Sequence, residues 1–221
     1  MTPAEPPAER RRTRPLPPFV VLKDFLEPGL RNDLLAYAIA NEERFEPSAL
    51  FDGRRESAMR VSHMLRDFGP AKDMLRDRFS ARLAELGGAL RVAPFEPFRL
   101  ELELVAHGDG AFYKRHLDTR TGERATGRSI RLISAVYYFH AEPKAFSGGA
   151  LRLHSMDMAG GEGDFVDIEP AQNTLVAFLS WAPHEVLPVS CPSRRFCDAR
   201  FAVNLWAHRA PLAMTLPDEP A

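Results

Sequence analysis

The chain has 221 residues and a formal net charge of -1, with 45% hydrophobic and 27% charged residues. This length suffices for one substantial core without requiring a second domain, and the composition argues against a largely disordered chain. The near-neutral charge disfavours nucleic acid and anionic membranes as partners.

Both ends of the chain are poor in residues that could be buried. Residues 1–18 are rich in Pro, Arg and Ala, which predicts a disordered leader, and residues 211–221 predict a frayed tail. No apolar run follows the N-terminal arginines, so a signal peptide is not indicated and a cytoplasmic location is expected. Residues 19–210 are then one domain, with helical support over 19–95 and a β core over 96–210.

The first part of this domain has helical periodicity. A short strand from Phe19 leads into a predicted helix within residues 28–45, and a second helix is predicted within 69–90, stopping at a Gly pair. Residues 47–68 have weak periodicity and predict a loop. The apolar faces of the two helices are formed by Leu30, Leu34, Leu35 and Ile39, and by Met74, Leu75, Phe79, Leu83 and Leu86.

After residue 95 the sequence consists of short β-like runs separated by Gly, Pro, Asp and Ser clusters. Eight strands with short connections predict a sandwich or barrel packed against the two helices, so the fold class is mainly β with flanking helices. The runs cover residues 98–106, 111–118, 131–140, 148–155, 164–170, 173–180, 184–190 and 200–208.

A His-any-Asp pair on a strand places two metal ligands on one side, because residues i and i+2 point the same way. Two histidines and one carboxylate coordinate one face of an iron ion and leave the other coordination positions exchangeable. The pattern occurs as His107 with Asp109 and as His116 with Asp118, and more loosely as His140 with Glu142. Glycines around Asp109 favour a turn there, so the second pair is preferred. His140 is interpreted as a surface residue or a neighbour of the site.

The third ligand is less constrained by the residues alone. His184 opens a strand at what could be a barrel mouth, and this makes it a candidate. His154 could instead be a buried, hydrogen-bonded histidine, and His208 lies just past the last predicted strand near the frayed end. These alternatives stay open on the residue pattern.

Six ordered segments carry a family resemblance: FYKRHLD, SAVYYFH, SGGALRLH, DIEP, NTLVAFLSWAPHEVLPV and ARFAVNLW. Together, across residues 97–207, they resemble the prolyl 4-hydroxylase-type Fe(II)- and 2-oxoglutarate-dependent oxygenases, including the hypoxia-inducible-factor prolyl hydroxylases. The resemblance implies a double-stranded β-helix, or jelly-roll, barrel. It also implies that Fe(2+) is bound by His116, Asp118 and His184.

The far carboxylate of 2-oxoglutarate needs a cation, best supplied by a planar guanidinium. The resemblance assigns this role to Arg200, with Tyr138 as hydroxyl donor, Tyr113 near the keto acid or the mouth, and Thr174 as a further candidate. The longer segment SCPSRRFCDA before Arg200 makes Arg194 and Arg195 alternatives. Cys191 and Cys197 in that segment are expected to be free thiols, with a local disulfide as the alternative.

The resemblance implies a dioxygenase that hydroxylates an unactivated C–H bond, with dioxygen and 2-oxoglutarate as cosubstrates and ascorbate as a possible reductant. The expected substrate is a prolyl residue in a protein or peptide. Arg60, His63 and the basic segment 119–131 could contact it. The alternatives are a hydroxylase of a free amino acid or small metabolite, a cupin-like metal protein without 2-oxoglutarate, and a non-catalytic β-sandwich binding module.

Overall fold

The computed structural model describes residues 15–49, 56–119, 129–156 and 163–210. Most of the predicted leader, the basic segment 120–128 and the tail 211–221 lie outside the described residues. The predictions made for those segments therefore remain predictions.

The described residues form two α-helices, α1 (Pro28–Ala40) and α2 (Pro70–Ala89), and each has proline in its first turn. α1 ends before the predicted limit, and a 3-10 turn follows at Glu42–Arg44. The expected stop at the Gly pair is wrong, because α2 continues through Gly87 and Gly88. Burial of the flanking Leu86 and Leu90 in the core explains why the helix continues past two residues of low helix propensity.

Each of the eight predicted runs contains a strand, and the run 184–190 divides into two. The predicted loop 47–68 is wrong in part, since it contains short strands. In chain order the strands are β1 (Phe19–Leu22), β2 (Glu46–Pro47), β3 (Arg60–Val61), β4 (His63–Leu65), β5 (Arg99–His107), β6 (Phe112–His116), β7 (Ile130–Phe139), β8 (Ser147–Gly148), β9 (Leu151–His154), β10 (Phe165–Ile168), β11 (Thr174–Leu179), β12 (His184–Val186), β13 (Val189–Ser190) and β14 (Arg200–Arg209).

The strands form a seven-stranded and a five-stranded antiparallel sheet, with β8 and β13 as a separate pair. The order is β1-β11-β7-β14-β5-β4-β2 in the larger sheet and β10-β9-β12-β6-β3 in the smaller one. The protein is thus mainly β with two helices. Neither helix combines the length and apolar composition that a membrane-spanning helix requires.

The two faces of the larger sheet have different roles. Phe201, Val203 and Leu205 of β14 share one buried apolar cluster with Leu75 and Phe79 of α2, so the helices cover this face. Alternate residues of β14 point the opposite way, as strand geometry requires. That second face lines a cavity to which the smaller sheet also contributes, and the candidate site lies there.

Candidate active site

A cavity of about 450 Å³ is lined by residues of both sheets. The smaller sheet contributes His116 and His184, and the larger sheet contributes Tyr138, Arg200 and Trp206. Most of the predicted site residues therefore share one space.

His116, Asp118 and His184 lie together at this cavity. His116 ends β6 and is paired directly with His184, which begins β12. Asp118 follows two residues after His116, and its backbone N–H donates to Ser180 O at 3.0 Å. One ligand atom from each of the three residues lies within 4.8 Å of the others. The arrangement offers two nitrogens and one carboxylate to a metal ion.

Backbone carbonyls orient both imidazoles. His116 Nδ1 lies 2.8 Å from Lys114 O, and His184 Nδ1 lies 2.9 Å from Ala182 O. We assign the proton to Nδ1 in each ring, which leaves the Nε2 lone pair for a metal. Burial, reinforced by the neighbouring His116, lowers the pKa of His184 to about 4, so that this ring is neutral at pH 7.

Residues of the larger sheet hold Asp118 in place. Its Oδ2 accepts a hydrogen bond from Ser134 Oγ at 2.7 Å and another from Trp206 Nε1 at 2.8 Å. Burial would raise the pKa of Asp118, but the neighbouring His184 and His116 outweigh it and hold the pKa well below its usual range. The carboxylate is therefore ionised and has a fixed direction, as metal binding requires.

Among the described residues, the competing histidines are not part of the three-residue ligand group, although His208 lines the same cavity. His154 is buried with its Nε2 3.0 Å from Glu185 Oε1, which confirms the expectation of a hydrogen-bonded histidine. His140 packs edge-on against Phe146 and is only 7% exposed, so its interpretation as a surface residue is wrong. His208 was expected beyond the last strand, but it lies inside β14, because that strand continues to Arg209.

Arg200 is a buried cation that has no anionic partner among the described residues. It is 1% exposed, and its Nη1 lies 3.1 Å from Nδ1 of His107, whose pKa is lowered by burial and by the Arg200 charge. Its Nε and Nη2 have no hydrogen-bond partner within the described ranges. The hydroxyl of Tyr138, whose ring lies 4.8 Å from the guanidinium carbon, is likewise unpartnered there. A bound carboxylate would satisfy both groups.

Gly149 makes room for the Arg200 side chain. A Cβ at Gly149 would lie 2.6 Å from Arg200 Cδ and 2.8 Å from Val189 Cγ2, and the φ of +70° also favours glycine. Burial raises the pKa of Tyr138 to about 12, so its hydroxyl keeps its proton and can donate. Tyr137 points to the other face of the sheet, as strand alternation requires, and its hydroxyl donates to Asn173 Oδ1 at 2.9 Å.

The other residues predicted to contact the cosubstrate do not all line the cavity. Tyr113 lines the cavity and stacks on His116, with ring centroids 3.5 Å apart. Thr174 is buried and paired directly with Tyr138, but it is not among the lining residues and its hydroxyl donates to Gln172 O at 3.2 Å. Its cosubstrate contact stays a prediction. Arg194 pairs with Asp109 outside the cavity.

Arg195 pairs with Asp198, also away from the cavity, which leaves Arg200 as the arginine of this segment that enters it. The structure has Cys191 and Cys197 as free thiols, as expected.

Ser134 and Trp206 belong to the site but were not named from the sequence, whereas Arg131 was named only as the last residue of the basic segment 119–131. Ser134 lies four residues before Tyr138, and Trp206 lies six residues after Arg200, so strand alternation places them on the cavity face. Arg131 packs over Trp206 with its guanidinium carbon 3.8 Å from the ring. Strand alternation along β7 and β14 could therefore have predicted that Ser134 and Trp206 face the cavity.

Comparisons with known proteins agree with this geometry. The family model of the 2OG-Fe(II) oxygenase superfamily matches residues 102–208. An uncharacterized PKHD-type hydroxylase of Synechocystis sp. is 36% identical over 194 residues, covering 85% of this chain. The chain spans 62% of the length of that relative.

Solved structures share the fold. A prolyl-4-hydroxylase of Pseudomonas putida aligns with a TM-score of 0.63 at 26% identity, covering 86% of this chain and 92% of that one. A prolyl hydroxylase of Trichoplax adhaerens, in complex with a hypoxia-inducible-factor peptide, aligns with a TM-score of 0.66 at 20% identity, covering 87% and 84%. Residues 102–208 therefore match the 2OG-Fe(II) oxygenase superfamily, whose cofactors are iron(II) and 2-oxoglutarate, and the chain is similar to hydroxylases of this kind.

Proposed function

We propose that the protein is a 2-oxoglutarate-dependent dioxygenase that hydroxylates an unactivated C–H bond, with Fe(II) held by His116, Asp118 and His184. The observation that carries the proposal is the convergence of the three ligand atoms within 4.8 Å at one cavity. Two imidazoles and one carboxylate are the ligand set of non-haem iron oxygenases. The fixed tautomers and the ionised Asp118 suit metal binding.

We further propose that Arg200 and Tyr138 bind the far carboxylate of 2-oxoglutarate. Arg200 is a buried charge with two unpartnered nitrogens, and the Tyr138 hydroxyl beside it also lacks a partner within the described ranges. A dicarboxylate supplies the missing acceptor. Tyr113, stacked on His116, would form the adjacent wall, and no cosubstrate role is assigned to Thr174.

When bound, iron and 2-oxoglutarate supply the oxidising chemistry, in which decarboxylation of 2-oxoglutarate to succinate accompanies hydroxylation of the substrate. The chain contributes position and environment. Ser134 and Trp206 fix the Asp118 carboxylate, and Arg200 orients the cosubstrate. Apolar lining residues, including Val136, exclude water from the centre.

The two sheets that border the cavity support the jelly-roll barrel as the finer description of the fold. A prolyl residue in a protein is our proposed substrate, and the similarity to prolyl hydroxylases of Pseudomonas putida and Trichoplax adhaerens supports it. The hydroxylation of a free amino acid is the competing proposal. A cytoplasmic location and ascorbate as reductant stay predictions.

The test is an anaerobic titration of the purified protein with Fe(II) and 2-oxoglutarate. A weak visible charge-transfer band is expected when the keto acid chelates iron in the wild-type protein. His116→Ala removes one of three ligands, so the band is expected to disappear.

The control is His154→Ala, which removes a histidine that is outside the candidate centre and bonded to Glu185. This variant should keep the band. A folded wild-type protein that binds iron and gives no band with 2-oxoglutarate would overturn the proposed function in favour of a cupin-like protein.

A further inference from the structure

Arg60 is a second buried guanidinium in the same cavity. It lies on the edge strand β3, opposite Tyr113 of β6, and its side chain is among the lining residues. Arg60 is 9% exposed. Burial lowers its pKa, which reflects the free-energy cost of keeping this charge away from water.

The hydrogen bonds of Arg60 use only part of its donors. Nε donates to Ser62 Oγ at 3.0 Å and Nη1 donates to Ala49 O at 3.1 Å. Both acceptors are neutral, and no described residue accepts from Nη2. One N–H of Nη1 and both of Nη2 remain, and these form the outer edge with which a guanidinium binds the two oxygens of a carboxylate.

The acidic residues around Arg60 do not neutralise it directly. Glu103 also lines the cavity, but its carboxylate forms an ion pair with Arg66 at 3.2 Å. Asp118 is one of the three candidate metal ligands. Within the described ranges, Arg60 therefore lacks a carboxylate partner of its own.

Arg60 is placed close to the candidate metal centre. Its guanidinium carbon lies 4.9 Å from the Tyr113 ring centroid, and that ring stacks on His116. The Tyr113 ring thus contacts both the cation and a proposed iron ligand. Arg200 already accounts for the far carboxylate of 2-oxoglutarate, so Arg60 is left for a different anion.

We propose that Arg60 forms a carboxylate-binding subsite for the substrate and holds it so that a neighbouring C–H bond faces the metal centre. The proposal rests on the proposed function for the position of the iron. The carboxylate has two possible sources, the α-carboxylate of a free amino acid and an acidic side chain next to the target residue of a polypeptide.

Calorimetric titration with two matched pairs of probes tests this subsite. L-proline is compared with L-prolinamide for the free amino acid, and acetyl-Pro-Asp-amide with acetyl-Pro-Asn-amide for the polypeptide. In wild type, the carboxylate member of at least one pair is expected to bind with a dissociation constant at least about tenfold lower than its amide partner. The pair that shows this preference identifies the source.

Two variants test whether Arg60 causes the preference for the carboxylate probe. Arg60→Gln removes the cation while keeping a side-chain donor, and it is expected to abolish the tenfold preference. Arg152→Gln makes the same change in net charge at an arginine that pairs with Asp167 and does not line the cavity. It should retain the preference.

Titrations are run anaerobically, both with and without Fe(II) and 2-oxoglutarate, so that failure of the oxygenase site would not hide the subsite. A charge-transfer band in Arg60→Gln would show that this variant is folded and loads its cosubstrate. Equal binding within both pairs in wild type, or a preference that survives in Arg60→Gln, would overturn the proposal. If the variant does not fold, equal binding within both pairs in wild type still overturns the proposal.

Discussion

Asp118 is held by more partners than either histidine of the candidate centre. Each imidazole has one carbonyl partner, whereas Asp118 Oδ2 accepts hydrogen bonds from both Ser134 and Trp206. These two donors belong to the larger sheet, across the cavity from the histidines. The direction of the carboxylate therefore depends on side chains that would not touch the metal.

Trp206→Phe is expected to weaken Fe(II) binding by about 10-fold to 100-fold, because removal of an outer partner frees a ligand to rotate. The ring volume is largely kept, so folding should be little affected. Fe(II) affinity is measured by anaerobic competition with a chelator. Trp181→Phe is the control, since Trp181 is 38% exposed and does not line the cavity. Unchanged affinity in Trp206→Phe would show that Ser134 alone orients the carboxylate.

The turn between β8 and β9 is the element on which the Arg200 side chain depends. Gly149→Ala is expected to raise the dissociation constant of 2-oxoglutarate by at least about tenfold, because an added methyl would displace the guanidinium. Anaerobic titration of the charge-transfer band measures this. Gly108→Ala adds the same methyl where nothing lies within 4 Å, and it should behave as wild type. Equal affinities in the two variants would argue against Arg200 as the cosubstrate anchor.

Long strands could be predicted from the sequence because each has enough apolar and β-branched residues to give a pattern of its own. β7, β11 and β14 are of this kind. β3 and β4 were missed, because strands of two or three residues depend on pairing with β6 and β5 rather than on local preference. Because β3 could not be predicted, the sequence could name Arg60 as a candidate substrate contact but could not place it in the cavity.

His116 and Asp118 were predicted from a His-any-Asp pattern expected on a strand, and His184 was predicted from a family resemblance. The strand ends at His116, so Asp118 lies just beyond it. Sequence spacing alone could not choose His184 over His154, since both begin or end strands of the smaller sheet. The structure separates them by register. His184 is paired with His116, whereas His154 is paired with Phe165 on the outer strand β10.

At the scale of the whole molecule, buried neutral histidines make stability depend on pH. Burial and the Arg200 charge lower the pKa of His107 well below its ordinary value of 6.5. The unfolded chain regains the ordinary pKa and binds a proton as the pH falls, so the free energy of unfolding decreases below pH 6.5.

Between pH 7 and pH 5.5 this contribution is about 1 kcal/mol. His107→Gln cannot take up the proton, so its free energy of unfolding should fall by about 1 kcal/mol less than that of wild type over the same interval. Urea denaturation of the metal-free protein at the two pH values measures the difference. The same decrease in both proteins would contradict a neutral, buried His107.

The division of the cavity between two sheets has a consequence for protein engineering. The proposed cosubstrate contacts, Arg200 and Tyr138, are on central strands of the larger sheet, while Arg60 is on a two-residue strand at the margin of the smaller one. Substitutions that alter the proposed substrate contact can therefore be confined to a short segment that carries none of the proposed metal or cosubstrate ligands. A directed-evolution library restricted to residues 56–63 would vary substrate specificity and leave the proposed metal and cosubstrate ligands unchanged.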